Sequence, residues 1–147
     1  MKTIPKRLFK IAKKARALTE KFAKKHPDIG YPEDLSCYCA IGSRILHLLA
    51  EKNGYELEFI QGYFGDVFDS DRKLTSSSIN HCWLEYKGHV VDITATQFGI
   101  QAPVHVVSRR NTDQYHPVLN HTKFDANWDD QSPTRYTRKI KKLVANC

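Results

Sequence analysis

An α+β fold, with N-terminal helices packed on an antiparallel sheet, follows from three observations. Apolar residues recur every three to four positions over residues 3–25 and 37–52. After residue 54 the pattern turns to β-branched and aromatic runs broken by turn residues. One of those breaks, Lys87-Gly88, joins two strand-like runs by only two residues, which signals a tight antiparallel hairpin. Helices first and strands afterwards favour segregated elements over alternating βαβ units.

The first helix is read over 3–25. Ile4, Leu8, Ile11, Ala15, Leu18 and Phe22 make one apolar stripe and lysines fill the rest. Pro5 suits a first turn, and His26-Pro27 ends the run. A connector with Pro27, Gly30 and Pro32 leads to a second helix over 37–52, with Asp34 or Ser36 as N-cap and Asn53-Gly54 as stop. Gly42 inside it costs about 1 kcal/mol relative to Ala, so a close contact with a strand is expected there. A strand follows over 55–64, a polar loop over 65–79, the hairpin over 80–94 and a strand over 103–108. Residues 109–132 read as irregular, and 134–145 as a short basic helix. The 147 residues suit one domain, with a core at about 35–108 between a basic N-terminal helix and a basic segment at 133–147.

Charge divides the chain. Residues 1–25 carry +9, residues 133–147 carry +5, and the stretch between them carries −7. Two basic ends on a mildly acidic body suggest contact with nucleic acid or another polyanion, against the plainer reading of solvated helix faces. No aromatic residues interleave with the basic ones as a stacking platform would need. No apolar run reaches the roughly 20 residues of a bilayer span. The basic N-terminus lacks an apolar run of the signal-peptide kind, and the four cysteines form no spaced ladder, so reduced thiols in the cytoplasm are expected.

The chemistry concentrates in the hairpin. With Tyr86 opposite His89, Trp83 faces Asp92, and His81 becomes its diagonal neighbour on the same face, about 7–8 Å away between Cα atoms. A carboxylate there can orient an imidazole. Cys39, in the first turn of the second helix, would feel unpaired backbone N–H groups and the positive end of the helix dipole, and both lower a thiol pKa. Nucleophile, base and orienting carboxylate are the three parts of a Cys-His-Asp site. Trp83 could wall a substrate channel or pack in the core, and Tyr38 and Gln97 are candidate side-chain donors to an oxyanion. Cys37 competes with Cys39 as nucleophile.

Other readings are weaker. Cys37, Cys39, His81 and Cys82 could hold zinc, but Cys-x-Cys is too closely spaced, and adjacent strand residues point to opposite faces. Asp66, Asp69 and Asp71 lack the Gly and the later Glu of a calcium loop. Every cysteine and histidine could also be core filling, which the hairpin register argues against.

Leu35-Ser-Cys-Tyr-Cys-Ala-Ile-Gly-Ser43, then Gly62-Tyr63, His81-x-Trp83-x-Glu85, Val91-Asp92-x-Thr94 and Gln97-Phe98 together resemble the transglutaminase-like branch of the papain-like cysteine enzymes. The resemblance covers roughly residues 35–98. It implies a papain-like fold, a nucleophile at Cys39 with Ser43 as the small residue four positions on, and His81 and Asp92 as its partners. It implies acyl transfer through a thioester on a protein or peptide substrate, with no cofactor: peptidase, amidase or deamidase chemistry, or transamidation. The chain departs from the pattern in having Cys37 where a small residue is usual and no glutamine just before Cys39.

Overall fold

The computed structural model describes residues 3–65, 79–121 and 136–147. Among them are three α-helices, α1 (Lys6–Lys25), α2 (Cys39–Lys52) and α3 (Thr137–Ala145). Five strands, β1 (Glu58–Phe64), β2 (Ile79–Tyr86), β3 (His89–Asp92), β4 (His105–Ser108) and β5 (Tyr115–His121), form one antiparallel sheet in the order β4-β3-β2-β1-β5. The α+β expectation therefore holds. No helix among the described residues is long and apolar enough to cross a membrane.

The helices cover one face of the sheet. Leu8, Ala12 and Ala15 of α1 and Ile41, Ile45, Leu46 and Leu49 of α2 join Phe59, Cys82, Leu84 and Val91 of the sheet in the main core. Ile140 and Val144 anchor α3 to the same core. Lys52 ties α2 to α3 by donating to the carbonyl oxygen of Cys147 at 2.8 Å. A smaller cluster, Ile60, Phe64, Trp83, Val90 and Tyr115, fills the opposite face, with Phe98, Ile100 and Val107 packed on it. Alternate strand residues serve alternate cores, as the period of two requires.

The hairpin has the expected register, with Tyr86 opposite His89 and Leu84 opposite Val91. Lys87 and Gly88 both take positive φ, the left-handed pair that matches strand twist in a two-residue turn. Gly42 is closely approached, but not by a strand: its neighbours are the segment just after β3 and α1. A Cβ there would lie 3.0 Å from Thr94 Cγ2 and 3.4 Å from Thr19 Cγ2, so its absence lets α2 approach both α1 and the segment after β3.

Several expectations need correction. α2 begins at Cys39 rather than residue 37, because Leu35 (φ 64°) and Cys37 (φ 73°) hold the preceding loop in left-handed geometry. Neither Ser36 nor Asp34 caps it; Tyr38 stands at the N-cap without a side-chain bond, and Asp34 Oδ1 accepts from Ser36 N–H instead. The segment read as irregular at 109–132 contains β5. Pro117 masked that strand in the sequence, but β5 lies at the sheet edge, where a missing N–H is tolerated. Asp66, Asp69, Asp71 and Trp128 lie outside the described residues.

Candidate active site

Four elements, α2, β1, β2 and β5, converge on a cleft of about 420 Å³ lined by Cys39, Gln61, Tyr63, Asn80, His81, Cys82 and Val118. Cys39 is the first residue of α2 and is half-buried. The first helical bond is donated by Gly42 N–H to Tyr38 O at 2.8 Å, so the N–H groups of Cys39, Ala40 and Ile41 have no acceptor within the helix. The uncapped helix start thus turns its positive end toward the cleft.

His81 and Asp92 meet as the register requires. His81 Nε2 lies 2.7 Å from Asp92 Oδ2, and both residues are buried. The carboxylate is saturated with donors. Its Oδ2 also accepts from Tyr115 O–H at 2.9 Å, and its Oδ1 accepts from Thr94 N–H at 2.9 Å and Thr94 O–H at 3.3 Å. Burial alone would raise the Asp92 pKa, but the charge and hydrogen bond of His81, with the Thr94 and Tyr115 donors, hold it below the usual carboxylate value. Burial likewise pulls His81 down, yet Asp92 and the Cys39 sulfur outweigh it and raise the imidazole to about 10. Aromatic rings fix the plane of the imidazole: Phe98 meets it edge-on at 4.8 Å and Trp83 lies nearly parallel at 5.8 Å.

His81 Nδ1 has no hydrogen bond of ordinary length. The Cys39 sulfur is nonetheless near enough for the two groups to act on each other. A hydrogen bond from the Cys82 thiol is the strongest influence on Cys39; burial opposes it, and the bond and charge of His81 reinforce it. The net effect holds Cys39 well below the ordinary thiol range. Cys82 moves the other way: burial raises it, and the neighbouring Cys39 raises it further, so it remains a thiol. Ser43 Oγ lies 4.0 Å from the Cys82 sulfur and backs it from α2.

Of the residues marked in the sequence, Cys39, His81 and Asp92 come together. Cys37 does not: it is exposed, outside the cleft, in the left-handed loop before α2. Three expected substrate contacts are corrected. Trp83 is 1% exposed and donates its indole N–H to Glu85 Oε2 at 2.8 Å, so it supports the imidazole from the second core rather than walling a channel. Tyr38 is buried, with its hydroxyl donated to His26 O at 2.6 Å. Gln97 donates its amide to Thr94 O at 3.0 Å and lies outside the cleft.

Sequence reasoning missed Gln61, Tyr115, Val118 and Arg16, and considered Cys82 only as a zinc ligand. Gln61 sits opposite Cys82 across the β1–β2 ladder, so it shares the cysteine's face. Val118 is the extra residue where β5 slips against Gln61 and Gly62, and it is 64% exposed beside the cleft. A Cβ at Gly62 would collide with the carbonyl of His116, so the bare glycine lets β5 close on β1 at that slip. Arg16, read as one of many basic residues of the first helix, is 8% exposed and braces the site. Its guanidinium donates to Ile93 O at 2.8 Å and to Thr96 Oγ1 at 2.9 Å, while Thr96 donates to Asp34 O at 3.0 Å. That chain joins α1, the segment after Asp92 and the loop before Cys39. Its sequence signal was an arginine on the apolar side of the helix, four residues before Glu20.

No group of three or more His, Cys, Asp or Glu side chains among the described residues is arranged to hold a metal ion. Comparison with protein-family models, with curated proteins and with solved structures returns no match for this chain.

Proposed function

We propose that this protein is a cysteine-dependent acyl-transfer enzyme acting on uncharged amide groups of a protein or peptide, as in the transglutaminase-like branch of the papain-like cysteine enzymes. The observation that carries the reading is a thiol depressed well below its ordinary range, beside an imidazole whose far nitrogen is fixed 2.7 Å from a buried carboxylate.

In this reading the Cys39 thiolate attacks the amide carbonyl carbon. A C–S bond forms and the carbonyl electron pair moves to oxygen. The Cys39 backbone N–H and the Gln61 side-chain amide line the cleft and would receive that oxyanion. His81, protonated at Nδ1, gives its proton to the leaving nitrogen as the C–N bond breaks. A thioester and a free amine result. His81 then draws a proton from water, whose oxygen attacks the thioester and releases the acid and the thiolate. Asp92 stays ionised throughout and steadies the imidazolium. An amine in place of water would give transamidation; hydrolysis is favoured because water needs no binding site of its own. Gln61, Asn80 and Tyr63 line the cleft, with no carboxylate or ammonium group among the described residues there, which suits a neutral carboxamide or peptide bond.

Covalent trapping with electrophilic peptide probes, read by mass spectrometry, tests the proposal. One adduct on Cys39 is expected in the wild type and in Cys37→Ala, and none in Cys39→Ala. Labelling of Cys37 instead, or no labelling at all while the fold is intact, would overturn it.

A further inference from the structure

We propose that the groove between α1 and α3 binds the sugar–phosphate backbone of a nucleic acid. This does not depend on the acyl-transfer reading, and the groove shares no residue with the Cys39 cleft.

The two basic ends of the chain are far apart in sequence, and the fold brings them side by side. Lys21 and Lys25 of α1 and Lys139 and Lys142 of α3 surround a groove of about 440 Å³ whose floor includes Phe22 and Leu143. Among the described residues no carboxylate lines it. None of the four ammonium groups joins an ion pair among the described residues; the pairs present there are Arg16–Glu20, His81–Asp92 and Arg109–Glu85. Like charges gathered this way repel, and each close pair is unfavourable by a few tenths of a kcal/mol. Helix dipoles account for Lys25 and Lys142, which stand in last turns. They do not account for Lys21 or Lys139. A bound anion relieves the repulsion of all four.

The charge also continues beyond the groove. At 100° per residue, Lys6, Lys10, Lys14, Lys21 and Lys25 fall within about 100° of the α1 surface and run about 28 Å along it. All five are exposed, away from the buried Leu8 and Ala15. A line of point charges of that length fits a polymer with regularly spaced phosphates. Lysine meets phosphate without the bidentate geometry that arginine brings to a carboxylate. Phe9 is the one exposed aromatic of α1, about 60° outside the lysine stripe, and a single ring is not a stacking platform, so the contact is with backbone, independent of base sequence.

Fluorescence anisotropy of the full chain with labelled mixed-sequence 20-nucleotide single strands and duplexes, across a sodium chloride series, tests this. Affinity is expected to fall linearly on a log–log plot. Replacing Lys21, Lys25, Lys139 and Lys142 together by Gln is expected to reduce the slope by about 3, since each phosphate contact contributes about 0.7–0.9. The wild-type circular dichroism spectrum and Cys39 alkylation rate should be retained. Lys87→Gln with Arg110→Gln, exposed at the hairpin end, should leave the slope unchanged. Salt-insensitive or absent binding by the wild type, equal loss in both variant sets, or tighter binding of poly-glutamate than of either oligonucleotide would overturn the proposal. The last result would assign the groove to an acidic protein.

Discussion

Asp92 has four donors aimed at its two oxygens, and an amide in its place cannot accept them all. Asp92→Asn is therefore expected to cost about 3–5 kcal/mol of stability, the usual penalty for breaking a buried pair. It should also slow probe acylation at Cys39 by 100-fold or more, within the range spanned by general acid–base contributions. Urea titration and adduct kinetics measure the two effects; acylation at the wild-type rate in a folded Asp92→Asn protein would refute the role. The thiol itself makes a sharper prediction. Iodoacetamide labelling of Cys39 should fall less between pH 8 and pH 6 than the roughly 80-fold that a thiol of pKa 8.5 loses over that interval. Cys82→Ala removes the strongest support of the thiolate and should restore part of that pH dependence. If the labelling profile of Cys82→Ala overlays the wild type, Cys82 is only packing. Cys37→Gly relieves a left-handed residue that strains L-amino acids by about 1–2 kcal/mol, so it should raise stability and leave labelling of Cys39 intact.

Among the elements, the segment after β3 is what the helices hold in place. Arg16 reaches it from α1, and Gly42 lets α2 lie against Thr94, which in turn donates twice to Asp92. Arg16→Ala leaves the buried carbonyl of Ile93 without this donor and is expected to cost about 2 kcal/mol. Gly42→Ala gains about 1 kcal/mol of helix propensity. Its methyl group meets Thr94 Cγ2 at 3.0 Å, and overpacking of this kind costs about 1–3 kcal/mol, so net destabilisation is expected. A rise in the urea midpoint for Gly42→Ala would show that α2 can slide away without loss.

The whole molecule should carry the signature of the site in its stability against pH. Asp92 and Cys39 are depressed, so the native state holds fewer protons than the unfolded chain at acid pH, and stability rises with pH up to about 6.5, the ordinary value for His. From there to about 8.5 the extra proton on His81 balances the one missing from Cys39, and the curve is flat. Above 8.5 the unfolded thiols ionise as well, while His81 and the buried Cys82 thiol keep their protons in the native state, so stability falls. In Cys39→Ala the balance is lost and the fall begins near 6.5. Urea midpoints from pH 3 to 10 read this directly; a wild-type midpoint still climbing from pH 8.5 to 10 would contradict it.

The sequence by itself determined the local elements and one long-range fact. Helical periodicity placed α1 and α2, and Lys87-Gly88 set a register that made His81 and Asp92 diagonal neighbours, because a two-residue turn leaves no freedom in pairing. Only the tertiary structure separated Cys37 from Cys39 in position, since both lie within one turn in sequence and Cys39 alone of the two lines the cleft. It alone brought Tyr115 to Asp92, Gln61 and Val118 to the cleft, and Arg16 to the backbone after β3. Those contacts cross between elements that have no local signal for one another. Their partners are fixed by how α1 and β5 pack, and packing is a property of the whole core rather than of any window of the chain.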